Sequence, residues 1–415
     1  SAAMSCCRCR PSPQAGLERV TSTPVALPGT AAARRFGPLA FAYFAAIGLF
    51  NPYAPLWFQS LGFSTVVIGA IASLQSWTRV LSPYAWSWSG DHSGRRVELI
   101  RLAAAGALLS ALGLLGVRAA VPVALVTMLL FLANGGIPPL YEAVLAHLLG
   151  GANGIDPARY GRIRVWGSVG FIVAVSSFGV LLEWAGIAAF PFFVAAMNGL
   201  LLVAALRLPT TRLQAHGGEA APAVLPLLRE PAVAWFFASV FFTVLAHTSL
   251  YAFFSLYLVS LGYGKAAVGA FWAVSIVVEI AFFWKQGSVF PLFTPHRWLQ
   301  IVALTTVGRF AATAGGAAWV PVLLLAQAVH AVTFACHHAA CIALIHRFFP
   351  DRLRGRGQAL YTMLGYGLPG VLGGIAGGWL IDSMGFAAVF WAAALCGLLA
   401  WGCAGRAARA AEAVA

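Results

Sequence analysis

Apolar stretches of membrane-span length fill most of the chain, broken by short polar connections rich in Gly, Pro, Ser and Arg. A helix rises about 1.5 Å per residue, so about 20 apolar residues cross the hydrocarbon core of a bilayer. Twelve runs meet that length: 37–59, 66–88, 98–117, 121–148, 164–184, 187–206, 232–258, 266–286, 298–316, 319–346, 357–380 and 386–405. The pattern predicts an all-α membrane protein with twelve transmembrane helices, because backbone in lipid must satisfy its hydrogen bonds within each segment.

Composition agrees. Of 415 residues, 60% are hydrophobic and 9% charged, and the mean hydropathy of +0.84 leaves too little polar surface for a water-soluble globule of this size. The net charge of +14 suggests nucleic acid until its distribution is followed. One side of the predicted membrane holds Arg34, Arg35, Arg95, Arg96, Arg101, Arg159, Arg162, Arg164, Arg207, Arg212, Arg229, Lys285, Arg297, Arg347, Arg352, Arg354, Arg356, Arg406 and Arg409, whereas Arg118 and Lys265 lie on the other. The positive-inside rule then puts both termini in the cytoplasm and removes nucleic acid as a partner; the expected location is the cytoplasmic (inner) membrane. Cys336, Cys341, Cys396 and Cys403 fall in apolar helices, where no disulfide is expected. Cys6, Cys7 and Cys9 sit in a Pro- and Arg-containing segment, residues 1–36, that reads as a disordered cytoplasmic tail rather than a metal site.

The chain repeats itself at half length. Ser60, Leu61, Gly62, Phe63, Gly69 and Ala70 recur 200 residues later as Ser260, Leu261, Gly262, Tyr263, Gly269 and Ala270. At an offset of 199, Gly179, Leu182, Glu183 and Gly186 return as Gly378, Ile381, Asp382 and Gly385. Two pseudo-symmetric six-helix bundles are expected, 37–206 and 232–406, with a cytoplasmic linker at 207–231 and a tail at 407–415. After the second helix, Asp91-His92-Ser93-Gly94-Arg95-Arg96 resembles the Asp-x-x-Gly-Arg-Arg/Lys loop of the major facilitator superfamily. That resemblance implies a gating role for Asp91, Gly94, Arg95 and Arg96, whose charges can pair in one conformation and separate in another. It also implies the major facilitator fold, with substrate bound midway through the bilayer between the bundles.

An ionisable group inside a span costs a few kcal/mol and needs a partner, water or a function. Of the acidic residues, Glu142 and Glu279 lie well inside predicted spans. Glu279, in the apolar run Ala273 to Phe283, is the leading proton-exchanging group, with a structural ion pair as the alternative. Arg309 on the ninth helix and His330 on the tenth are its expected partners. Gln327, His330, His337 and His338 form a polar stripe on the tenth helix, which in lipid must face inward. Glu142 and Arg164 are placed to pair across the fourth and fifth helices. The repeat offset maps Glu279 onto Arg79, which either holds an anionic substrate group or is satisfied by helix carbonyls and Ser82. Tyr53, Trp77, Trp166, Tyr251 and Trp272 are aromatic candidates for stacking on a ring-bearing substrate.

These residues resemble the lactose-permease-like branch of the superfamily, and within it the phenylpropionate permease group. The likeness runs from about Phe36 to Arg406 and is densest at Tyr160 to Ser168, at Val268 to Trp272 leading to Glu279, and at His330, Thr333, Phe334 and His338. His247 and Tyr251 also fit that group. The resemblance implies that Glu279, Arg309 and His330 form the proton and coupling site and that Glu142 and Arg164 act in substrate binding; Arg79, from the repeat, Gln327, from the polar stripe, and Trp166, His247, Tyr251, Trp272 and His338 are the further substrate-binding candidates. Thr333 stands where the sugar permease has an acid and Gln327 where it has a lysine, so sugar specificity does not carry over.

The expectation is therefore a secondary transporter, not an enzyme, importing a small organic solute such as an aromatic carboxylate by alternating access. Its coupling ion is a proton, it needs no other cofactor or metal, and its partners are the solute and the bilayer, with the chain working as a monomer. Proton-driven efflux of hydrophobic compounds and sugar or nucleoside symport are the alternatives within transport. A non-transporting receptor is the alternative outside it, although the chain offers no sizeable soluble domain.

Overall fold

The computed structural model describes residues 29–151, 154–155, 157–210, 225–349 and 353–413. Cys6, Cys7, Cys9 and most of the expected linker lie outside them. The described residues form twelve helical rods. In the first half these are Gly29–Ser60, Thr65–Ser93, Arg96–Gly113, Ala120–Leu149, Pro157–Ala185 and Ile187–Leu206. In the second they are Pro231–Ser260, Lys265–Leu292, Pro295–Gly316, Val320–Phe348, Gly355–Met384 and Phe386–Glu412. A two-residue antiparallel pair, Gly150–Gly151 with Gly154–Ile155, tightens the connection after the fourth helix.

Nine of these rods are long and apolar enough to cross a membrane by length and composition. The second, third and ninth are the more polar ones, carrying Gln75 and Arg79, Arg96 with Glu98 and Arg101, and Arg297 with Arg309. The first helix begins at Gly29, ahead of the expected boundary at residue 37, because Ala31 to Ala33 favour helix and Pro38 continues inside it. The last helix likewise runs to Glu412 through an Ala- and Arg-rich stretch read from sequence as tail. Trp184 and Trp319 at the arginine-poor ends, and Trp88 and Trp284 toward the arginine-rich ends, are exposed, as the two interfacial belts of a bilayer require.

The duplication is visible in the backbone. Gly62 and Gly262 end the first helix of each half at φ of 82° and 89°, and Gly186 and Gly385 separate the fifth and sixth helices of each half at 80° and 85°. These are left-handed values that favour glycine. Within the first half the first helix packs on the fifth and sixth, and the third on the fourth and sixth; within the second the seventh packs on the twelfth and the ninth on the tenth and twelfth.

The halves meet through the second helix on the eleventh and the fifth on the eighth. Glycines permit that approach. A Cβ on Gly69 would overlap the Gly374 carbonyl oxygen, and one on its repeat mate Gly269 would overlap the Val175 carbonyl oxygen. Hydrogen bonds join the same surfaces: Ser73 Oγ donates to the Val371 carbonyl at 2.7 Å and Thr65 Oγ1 to the Gly378 carbonyl at 2.9 Å. At the arginine-poor ends the repeat-related acids complete the closure. Glu183 accepts from the backbone N–H groups of Lys265 and Ala266 at the start of the eighth helix, where the helix dipole favours a carboxylate. Asp382 Oδ1 accepts from Thr65 Oγ1 at 3.4 Å at the start of the second. The halves are thus pressed together on the arginine-poor side.

This contact generates a test. Gly269→Val should separate the halves on that side, since overpacking costs about 1–3 kcal/mol, which shifts a two-state equilibrium by about 5- to 150-fold. Spin labels on the arginine-poor ends of the fifth and eighth helices would report it as a longer distance population; an unchanged distribution would show that the contact does not hold the closed side.

Candidate functional site

The backbone departs from regular helix where the second half carries its polar groups. The tenth helix passes through a π-helical segment at Ala331–Cys336 and the eleventh through another at Tyr361–Gly367. Such segments free local backbone bonds and recur at functional sites.

Arg309 is 3% exposed in the middle of the ninth helix, and an unpaired guanidinium there would carry a large desolvation cost. Three acceptors meet it: its Nη1 lies 3.0 Å from His330 Nδ1 and 2.8 Å from Thr333 Oγ1, and its Nη2 lies 3.1 Å from Gln327 Oε1. Ser275 of the eighth helix donates to the same Gln327 oxygen. A guanidinium only donates, so His330 must present an unprotonated Nδ1 and hold its proton on Nε2. That Nε2 lies 3.7 Å from Glu279 Oε2, and the Glu279 side chain keeps 19% of its surface accessible. Sequence reading brought Glu279, Arg309 and His330 together; the structure does so as a chain in which His330 stands between the acid and the arginine. Thr333 and Ser275 were not singled out as partners, although a hydroxyl one turn from His330 and another one turn before Glu279 are the available signal.

A cavity of about 350 Å³ lies between the halves, walled by the first, second, seventh, tenth and eleventh helices. Arg79, Tyr251 and Tyr366 line it together with Phe44 and Phe334, and most of the remaining wall is apolar. The His330 ring stacks on Phe334 at 5.1 Å, linking the acid's partner to the cavity wall. Behind Tyr251, Trp272 stacks at 6.2 Å and gives its Nε1–H to Ser255 at 3.2 Å. His247 packs edge-on against Phe310 and bonds the Thr243 carbonyl through Nδ1 at 2.7 Å, leaving Nε2 without a partner. Gln327 belongs to the arginine network, and its Nε2 also lacks one. His338 lies 3.3 Å from the Tyr361 hydroxyl, which in turn meets Tyr366 at 3.2 Å.

In the first half Glu142 accepts a hydrogen bond from Tyr160 and lies within electrostatic reach of Arg164. The Arg164 guanidinium sits over the Phe44 ring at 4.4 Å, a cation–π contact at the edge of the cavity, and feels Glu279 across the interface. Trp166 departs from expectation. It is 46% exposed and shares a lateral groove with Pro38, Phe41 and Leu200, so it faces away from the space between the halves. A helical step of two residues from Arg164 turns a side chain by roughly 200°, which separates the two. Of the proposed gating loop, Arg96 Nη2 pairs with Asp91 Oδ1 at 2.6 Å, Gly94 caps the second helix at φ 63°, and Arg95 is exposed. Cys336, Cys341, Cys396 and Cys403 are free thiols.

Comparison with known proteins agrees with this architecture. The probable 3-phenylpropionic acid transporter of Escherichia coli (strain K12) is 26% identical over 364 residues, covering 86% of this chain and 93% of that one. The maltose permease of Geobacillus stearothermophilus is 26% identical over 384 residues, covering 89% and 93%. Among solved structures, the nucleoside transporter NupG superimposes with a TM-score of 0.76 at 18% identity, covering 90% of this chain and 98% of that one. A bacterial homologue of the lysosomal transporter Spinster in an inward-facing conformation gives 0.70 at 12%, covering 92% and 97%. Residues 36–392 match the MFS_1 like family. The chain belongs to that family, and it is a secondary transporter of the major facilitator type, not an enzyme.

Proposed function

We propose that this protein imports a small organic solute together with a proton, and that the solute is an aromatic carboxylate of the 3-phenylpropionate kind. The observation that carries the reading is Glu279: an acid in the middle of the eighth helix, still partly accessible, facing the Nε2 of a histidine whose other nitrogen is held by Arg309. Because Arg309 holds the Nδ1 lone pair, a proton arriving at this pair settles on the carboxylate rather than on the imidazole. The partly accessible carboxyl group can exchange a proton with the space between the halves, as a coupling site requires.

The substrate class is supported by the cavity, whose aromatic and aliphatic walls suit a ring and whose Arg79 suits an acid. The related probable 3-phenylpropionic acid transporter points the same way. Asn51, Gln75, Ser76 and Thr248 also line the wall and can bond the hydroxyls of a sugar or nucleoside, the substrates named for the maltose permease and NupG, but a neutral solute leaves the Arg79 charge unmatched. With the arginine-rich side in the cytoplasm, the contacts between the halves close the outer side. In each cycle Glu279 loads a proton from outside, substrate binds in the cavity beside Arg79, Arg164 and Tyr251, with Glu142 and Tyr160 steadying Arg164, and both leave as the bundles rock.

Glu279→Gln, fixed in the neutral form, should lower pH-driven accumulation of 3-phenylpropionate in proteoliposomes by about tenfold or more, since a carrier that cannot release its proton inside cannot use the gradient. Accumulation at the unmodified level would remove Glu279 as the coupling residue. Gln327→Leu takes the acceptor from Arg309 and Ser275, and a buried donor left unmet costs about 1–3 kcal/mol. Its thermal unfolding midpoint in detergent should fall by a few degrees, and an unchanged midpoint would show that the network adds nothing to stability.

A further inference from the structure

The cavity holds a cation with no anion beside it. Arg79 lines the space between the halves, is exposed there, and makes no hydrogen bond or ion pair with any described residue. Ser82, the partner expected from sequence, gives its hydroxyl to the Leu132 carbonyl at 2.6 Å instead. The other two arginines near Glu279 are already engaged: Arg309 by His330, Thr333 and Gln327, and Arg164 by the Phe44 ring and the Glu142 and Tyr160 pair.

Arg79 and Glu279 occupy equivalent positions. Thr65 opens the second helix and Lys265 the eighth, so each charge lies fourteen residues, or about 21 Å, from the arginine-poor end of its helix. Tyr251 of the seventh helix and Tyr366 of the eleventh lie within electrostatic reach of both. The remaining groups facing Glu279 are His330 from the tenth helix and Arg164 from the fifth. Neither fills the role of a mobile counter-charge, since His330 is locked by Arg309 and Arg164 is shared with Glu142.

We propose that Arg79 seats the single carboxylate of the substrate, and that Arg79 and Glu279 together form a charge-compensated pair that makes transport electroneutral, one monoanion with one proton per cycle. This rests on the proton-coupled reading of Glu279. In the empty carrier the guanidinium and the carboxylate sum to zero. In the loaded carrier the substrate anion neutralises Arg79 and the proton neutralises Glu279, and the sum is again zero. A proton without the anion leaves the pair at plus one, and an anion without the proton leaves it at minus one. Rearrangement through a closed, low-dielectric state with an uncompensated charge is slower by about 100-fold, given a cost of about 3 kcal/mol for a charge at mid-bilayer. Coupling then follows from charge balance alone, with no direct contact between substrate and proton. A neutral solute cannot meet the condition, because protonating Glu279 beside it strands Arg79.

The test uses the full-length chain in proteoliposomes with radiolabelled 3-phenylpropionate, benzoate and the uncharged 3-phenylpropionamide. An inwardly directed proton gradient should drive uptake of at least one acid and not of the amide, and an inside-negative potassium diffusion potential should leave the rate unaltered. Arg79→Gln should cut uptake of the acid by about 100-fold, as loss of the compensating charge requires, while Arg79→Lys keeps a measurable share; a thermal melt of each variant separates loss of fold from loss of function. If inside-negative potential speeds pH-driven uptake, or if Arg79→Gln transports as well as the parent, the charge-balance proposal is overturned while proton coupling stands. If neither acid is taken up in response to the pH gradient, the proton-coupled reading fails, and this proposal with it.

Discussion

A charge in hydrocarbon must be compensated, and that constraint organises this protein. Arg309 shows what full compensation takes: two donor nitrogens, three acceptors from the tenth helix, and a serine from the eighth that shares one of those acceptors. The network fixes the tautomer of His330 and so aims an N–H at Glu279. Glu279, at the open end of this network, and Arg79, outside it, are the charges that exchange partners in the proposed cycle, and both sit at the same depth on repeat-related helices.

The duplication supplies the frame for that exchange. Gly69 and Gly269 let backbones touch across the interface, and Glu183 and Asp382 close the ends of the same helix pairs. These contacts come in symmetric pairs toward the arginine-poor ends, so in the proposed cycle each half tilts about them. Toward the arginine-rich ends the cores are separate, with Val144 and Leu201 in a cluster of the first half and Phe236 and Leu344 in one of the second, while a third cluster containing Tyr53 and Phe253 joins the halves on the arginine-poor side.

Much of this was legible in the sequence. Twelve spans follow from the length of the apolar runs, the repeat from residue matches at a constant offset, and the trio Glu279, Arg309 and His330 from the cost of burying charge. The equal depth of Arg79 and Glu279 followed from the offset alone. What sequence did not reveal depends on the rotation of side chains about helix axes and on backbone departures from ideal geometry. Trp166 was grouped with the substrate site because it lies two residues from Arg164, yet that spacing turns it outward. Phe334 and Tyr366 lie within the π segments Ala331–Cys336 and Tyr361–Gly367 and line the cavity from positions that regular helical periodicity does not indicate. Phe44 as the seat of Arg164 and Gln75, bonded to Asn51 at 3.1 Å, required a three-dimensional arrangement of the first and second helices.

The central claim is that the carboxyl group of Glu279 gains and loses a proton while the rest of its network stays fixed. Infrared difference spectroscopy of the purified protein across a pH step reads carboxyl protonation directly. A protonated-carboxyl band should grow as pH falls, weaken at a given pH in Arg309→Gln through loss of the held histidine, and be missing in Glu279→Gln. An identical band in Glu279→Gln and the unmodified protein would contradict that claim.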